Sequence, residues 1–232
     1  MIDIDKLLPS IRTGSDMMDA LLQNPIDRHP FFNDPKRFHI GYVSVILENG
    51  RELDITAFLA QLISMCPNVD LRAKLVPQLY DELGSGDSAN IHIKLIAAYL
   101  NEIKPHSNVH ADDRPMLDAA YDRLNKVYRS LFHPTHFYEG LGVAIANEIV
   151  VQPIFEYFKE TTAKANLGLS DMAMVWLNAH NELEGDHVAD SVEMANMMAP
   201  NSDDLRVATR KAFELLNEFW VFFDMVHRIR LN

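Results

Sequence analysis

The chain is poor in the residues that build covalent or sheet scaffolds. Its 232 residues include one cysteine, Cys66, which excludes an intramolecular disulfide framework and any multi-cysteine zinc or iron–sulfur site. Cys66 precedes Pro67 and has no activating neighbour in sequence, so it reads as a small buried hydrophobe rather than a nucleophile. Basic residues are also scarce. The 21 Lys and Arg against 33 Asp and Glu leave a net charge of −12, which makes nucleic acid and anionic membrane surfaces poor partners. No apolar run approaches the ~20 residues that span a bilayer. The start, Met1-Ile2-Asp3-Ile4-Asp5, carries acids where a secretion signal needs positive charge, so a cytoplasmic protein is expected. With only 9 Gly and 11 Pro, and no long alternation of apolar and polar residues, the sequence offers little from which to build a sheet.

What it has is apolar residues at helical spacing. Hydrophobic residues make up 48% of the chain, enough for one sizeable core, and the length suits a single domain over 1–232 in which residues 1–28 form an N-terminal extension packed on the rest. A short helix is expected from Ser15 to Asn24. Cap residues followed by amphipathic runs then predict helices over Asp54–Cys66, Val69–Leu83, Ala89–Ile103, Arg114–Phe132, Phe137–Ala165, Ser170–Met198 and Asp203–Arg230. Pro153 should kink the fifth of these. Arg37–Leu47 fits strand or helix equally, with Asn49-Gly50 ending it. The fold class is all-α, a bundle of about seven helices.

Several ionisable residues fall where the core should be. In Trp176-Leu177-Asn178-Ala179-His180-Asn181-Glu182-Leu183-Glu184-Gly185-Asp186-His187, the residues His180, Glu184 and His187 stand at i, i+4 and i+7 on one helix face, which continues into Met194 and Met198. Two imidazoles and a carboxylate on an apolar stripe are what a divalent transition metal asks for, although histidines on a solvated face would give the same spacing. Glu148 is the sole charge between Glu139 and Glu156, so buried there it needs a cation, whether a metal or an Arg or Lys from another helix. Glu82 and His92 flank Gly84 and Gly86, which permit a break that re-aims the chain; a glycine C-cap followed by a core histidine is the alternative. Asp81 competes with Glu82, because on an unbroken helix it aligns better with His92. Trp176, one turn before His180, reads as core packing or as a pocket wall. His133 and His136 read as loop residues. Three segments thus offer inward acids and imidazoles, the way di-iron carboxylate sites are assembled in bundles.

The order Glu82, His92, Glu148, His180, Glu184, His187 resembles that of the haem-oxygenase-like di-iron oxidases and oxygenases. The run Leu79-Tyr80-Asp81-Glu82-Leu83-Gly84 and the segment His29-Pro30-Phe31 are similar to family features, and the resemblance extends from about His29 to Met198. Glu184 stands where the family usually has Asp. The resemblance implies a haem-oxygenase-like helical bundle whose six residues hold two Fe(II) ions, with O2 as co-substrate and a small organic substrate such as an amino acid, amine or fatty acid. Glu148 would be the bridging carboxylate. A homodimer is kept as an expectation for the assembly. The alternatives are a metal-free thiaminase-like or quinone-synthase-like enzyme of the same fold, a haem oxygenase using His29 or His39 as proximal ligand, and a non-catalytic iron-binding or storage protein.

Overall fold

In the computed structural model the backbone is described for residues 1–50 and 53–232, and the side chains for all but residues 49–52 and 179–187. Helices follow one another as α1 (Ile4–Leu7), α2 (Gly14–Leu22), α3 (Pro30–Asn33), α4 (Ile40–Gly50), α5 (Ile55–Met65), α6 (Val69–Glu82), α7 (His92–Ile103), α8 (Arg114–Leu131), α9 (Phe137–Ala165), α10 (Asp171–Asn196) and α11 (Asp203–Arg228), and no strand occurs among the described residues. The fold is the all-α bundle expected. Helix starts coincide with side-chain caps: Asp54 accepts from the Ala57 N–H, Asn68 from those of Asp70 and Leu71, Ser170 from that of Ala173 and Ser202 from that of Leu205. The ambiguous segment Arg37–Leu47 is a 3₁₀ turn, Pro35–Phe38, leading into α4. The expected start of α7 at Ala89 is corrected to His92, because residues 84–91 are consumed by consecutive turns.

α9 lies at the centre, packed against α10 and α11 and also touching α2, α4, α5 and α8. Its residues 140–146 are buried on every side, the signature of a core helix rather than an amphipathic one. By length and composition α9 is apolar enough to cross a membrane, contrary to the reading that no run approached that length. In this fold 61% of its most apolar window is buried inside the protein. The helix assignment continues through Pro153 and, in α6, through Pro77. Pro77 and Ala73 are both exposed, so water can serve the carbonyl that Pro77 leaves unbonded.

α7 and α9 both pack on α10 and on α4 and face each other across a shared interior. There the Tyr99 hydroxyl of α7 hydrogen-bonds Thr162 of α9, whose hydroxyl donates to the Phe158 carbonyl at 2.7 Å. Burial pushes the Tyr99 phenol up to about 12, so it stays a neutral donor. α6 packs outside, on α5 and α10, while α8 packs on α11.

Candidate metal centre

The site begins at the C-terminal end of α6. Leu71, Leu75, Gln78 and Glu82 follow one another at i, i+4, i+7 and i+11 on its inner face, and the first three are buried. The helix stops at Glu82 because Gly84, Ser85 and Gly86 all take left-handed backbone, with φ of 86°, 52° and 92°. A Cβ on Gly84 would sit 2.3 Å from the Asp87 carbonyl oxygen and 2.8 Å from the Ile91 nitrogen, so only glycine lets the chain double back this tightly. The Asp81 carboxylate accepts from the Ser85 hydroxyl at 2.8 Å, and the Tyr80 hydroxyl donates to the Ser85 carbonyl at 2.7 Å. Both bonds tie the turn.

This turn places His92, the first residue of α7, against Glu82: Nδ1 and Oε2 are 2.9 Å apart, with the imidazole buried and the carboxylate largely so. The N-terminal end of α7 adds a favourable field for the carboxylate. Two donors adjacent in the shell of an octahedral divalent ion, each about 2.1 Å from it, stand roughly 3.0 Å apart. The pair is therefore pre-spaced for an ion in place of the shared proton, and oxygen with imidazole nitrogen is a donor set that iron accepts.

Three anchors fix what lies opposite. At the far end of α7, Glu102 accepts from the Ser170 backbone N–H at 2.9 Å, so α7 and α10 run antiparallel and His92, ten residues back, falls near residue 180 of α10. On α6, Lys74 binds Asp190 at 3.0 Å and Glu193 at 2.6 Å while Glu82 meets His92 of α7, so α6 also runs antiparallel to α10 and Glu82, eight residues on, falls at about 182–185. On α9, Phe155 and Phe158 meet Trp176 with ring centroids 5.1 and 6.2 Å apart, so Glu148 falls at about 183–186. All three register on the turns of α10 that carry His180, Glu184 and His187. The backbone there is helical, and those three side chains lie outside the described residues.

Among the described residues no three of His, Cys, Asp and Glu are grouped closely enough to hold an ion; Glu82 and His92 are brought together as a pair. Glu148 is less enclosed than its apolar surroundings suggest. It is half-buried, as are Val151, Gln152 and Phe155 on the same face, while residues 143–146 and 149–150 are buried. Beyond this face, Trp176 is 1% exposed and packed among Tyr99, Phe155 and Phe158, so it belongs to the core.

The other histidines are engaged elsewhere. His29 is fully buried; its Nδ1 accepts from the Phe31 N–H at 3.1 Å, which leaves Nε2 as the donor to Asp224 at 3.1 Å and neither nitrogen free for a haem iron. His39 is exposed and its Nδ1 accepts from the Gly41 N–H. His133 and His136 are exposed before α9. Cys66 is buried and its thiol donates to the Asn68 carbonyl at 3.1 Å, which agrees with a structural role. Two residues escaped the sequence reading. Gln78, four before Glu82, and Ser191, four after His187, are both buried with polar atoms that make no hydrogen bond. Their spacing from the acids and histidines was the only available signal.

A family profile described as iron-containing redox enzymes matches residues 51–220, from α5 into α11. The chain belongs to this haem-oxygenase-like family. Comparison with curated proteins gives no match. Membership makes the protein an iron-containing oxidoreductase, and the matched span includes every candidate ligand from Glu82 to His187. Within that span Glu82 and His92 bring a carboxylate oxygen and an imidazole nitrogen to 2.9 Å of each other.

Proposed function

We propose that this family member is a non-haem di-iron oxidoreductase that uses O2 to oxidise a small organic substrate, an amino acid, amine or fatty acid. The observation that carries the reading is the Glu82–His92 pair at 2.9 Å, at the level of the His-x-x-x-Glu-x-x-His turns of α10. Glu82, His92, Glu148, His180, Glu184 and His187 would hold two Fe(II) ions, with Glu148 reaching in from α9 as the bridge. Iron bound there supplies the capacity to bind and reduce dioxygen, which no side chain has.

The protein's own groups do the rest. The left-handed turn at 84–86 holds Glu82 and His92 at ligand spacing before any ion arrives, so little reorganisation accompanies binding. Tyr99, Phe155, Phe158 and Trp176 close the interior one to two turns from the ligand level and exclude water from that end. The half-buried face of Glu148, Val151 and Gln152 would receive the substrate beside the carboxylate. The metal-free reading is not served by Cys66, which is buried and hydrogen-bonded. The haem reading lacks a free imidazole at His29.

Anaerobic loading with ferrous salt, desalting and metal analysis tests the proposal. About two irons per chain are expected, with oxygen uptake on exposure to air. Glu148→Ala should lose one or both irons while keeping the helical far-UV signal, because the half-buried charge and its cation leave together. Many irons per chain would indicate storage, and none would indicate the metal-free alternative. Full iron occupancy in Glu148→Ala would remove that residue from the centre.

A further inference from the structure

The ligand faces of α6 and α10 each extend one turn past the candidate metal ligands, and each extension ends in an uncharged polar side chain. On α6 this is Gln78, 3% exposed, whose amide nitrogen makes no hydrogen bond. On α10 it is Ser191, fully buried, whose hydroxyl makes none either, not even to its own helix. Lys74 meets Asp190 and Glu193, while Glu82 at the other end of α6 meets His92, the start of the helix α7 that runs antiparallel to α10; α6 and α10 are therefore antiparallel, and both residues lie at the same end of the site. Their surroundings are apolar: Leu71, Leu75, Met194 and Ala195 are all buried. Native interiors rarely leave such groups unbonded, and a partner from outside the chain is one physical reason for keeping them.

We propose that Gln78 and Ser191 form the head-group subsite for the substrate and receive an uncharged carbonyl oxygen, as in an amide or ester. This inference rests on the di-iron reading above and narrows its substrate from the free amino acid, amine or fatty acid to a neutral amide or ester of one. Both side chains can donate, the amide through N–H and the serine through O–H, so an acceptor suits them. An ammonium group does not, because it brings donors only. A carboxylate would be buried beside neutral donors, with the Lys74 charge already taken by two acids, and a buried anion without a cation is disfavoured. The acceptor would sit about one helical turn, ~5.4 Å, from the ligand level, which leaves the following few carbons next to the irons.

The experiment is calorimetric titration of the ferrous-loaded, anaerobic protein with hexanamide, hexanoate and hexylamine, for the native chain, Gln78→Met and Ser191→Ala. Gln78→Met keeps the volume and deletes an unbonded polar group, so its melting temperature should match or exceed the native value. Hexanamide is expected to bind the native protein at least about tenfold more tightly than either variant, with hexylamine indifferent to both substitutions. Equal hexanamide affinity in all three proteins, or no binding to any, overturns the subsite and leaves a buried water as the partner of Gln78 and Ser191. Stronger, Gln78-dependent binding of hexanoate overturns the uncharged class. Iron per chain is measured on the same samples: native stoichiometry in the variants with weakened hexanamide binding supports the subsite. Absence of iron from every sample defeats the di-iron reading, while the titrations still decide the subsite by the same comparison.

Discussion

Gly84 does more to shape the candidate centre than any of the acids in it. At φ 86° and with the Asp87 carbonyl 2.3 Å from where a Cβ would stand, it permits the reversal that brings Glu82 to His92. The same reversal separates the neighbouring carboxylates. Asp81 accepts from the Ser85 hydroxyl inside the turn, and Glu82 faces the imidazole. Glu82→Gln is therefore expected to lose at least half of the bound iron, because an amide oxygen is a much weaker ligand for a divalent ion. Asp81→Asn, whose amide oxygen still accepts from Ser85, should load like the native protein. Metal analysis after anaerobic ferrous loading compares the two. The opposite pattern would transfer the ligand role to Asp81.

Among the helices, α9 approaches α11 closely enough for their backbones to touch. A Cβ on Gly142 would fall 2.0 Å from the Ala208 carbonyl oxygen and 2.6 Å from its carbon, so the two backbones are in direct contact there. Ala208 and Ala212 line the other side of the crossing, both fully buried. Small residues on both helices let the central helix sit deep enough to be apolar all round. Gly142→Ala must push α9 and α11 apart, and the expected cost is about 1–3 kcal/mol, from overpacking that helix propensity only partly offsets. Urea unfolding should show a lower midpoint with an unchanged slope. The crossing of α2 with α10 is built the same way, with Gly14 against the Ala195 carbonyl, and it holds the N-terminal segment on the helix that carries His180, Glu184 and His187.

Across the whole molecule, the first 42 residues and the last ten are bound together by polar pairs. His29 donates to Asp224 at 3.1 Å, His227 meets Asp34 at 2.9 Å, and the Tyr42 hydroxyl donates to the Ile229 carbonyl at 2.6 Å. The 104–113 connector joins them where Asp113 holds Arg230 at 2.8 Å, which keeps the Asp113 carboxyl down at about 2. Burial lowers the His29 pKa below its ordinary 6.5. The Asp224 carboxylate works against that shift, and His227 adds to it. In the fold, then, His29 is neutral over a wider range than in the unfolded chain. Its contribution to stability is complete above pH 6.5 and is lost as pH falls through the lower, folded value. Melting temperature should decline below about pH 6.5 in the native protein. In His29→Gln it should start lower and decline less over the same interval; parallel curves would place the acid sensitivity in other groups.

Most helix positions could be read from the chain because their determinants are short-range. Asp54, Asn68, Ser170 and Ser202 each cap a backbone N–H two or three residues on, so the signal and the structure lie within one turn. Where two local patterns tied, as in Arg37–Leu47, packing of α4 on α7 and α9 settled the matter. The start of α7 was misread by three residues because a run of three left-handed residues is a property of the closed turn and is not a propensity of Ser85. The acids and histidines announced themselves by charge on apolar faces, and the glycines hinted that Glu82 could reach His92. Their common level on α10 depended on contacts such as Lys74 with Asp190 and Ser170 with Glu102, made between residues about 70 to 120 apart. Gln78 and Ser191 were silent in the chain, since an uncharged polar residue on a helix is ordinary. Only tertiary packing could show that both are buried and that no neighbour bonds them, because burial and hydrogen-bond partners are supplied by other helices.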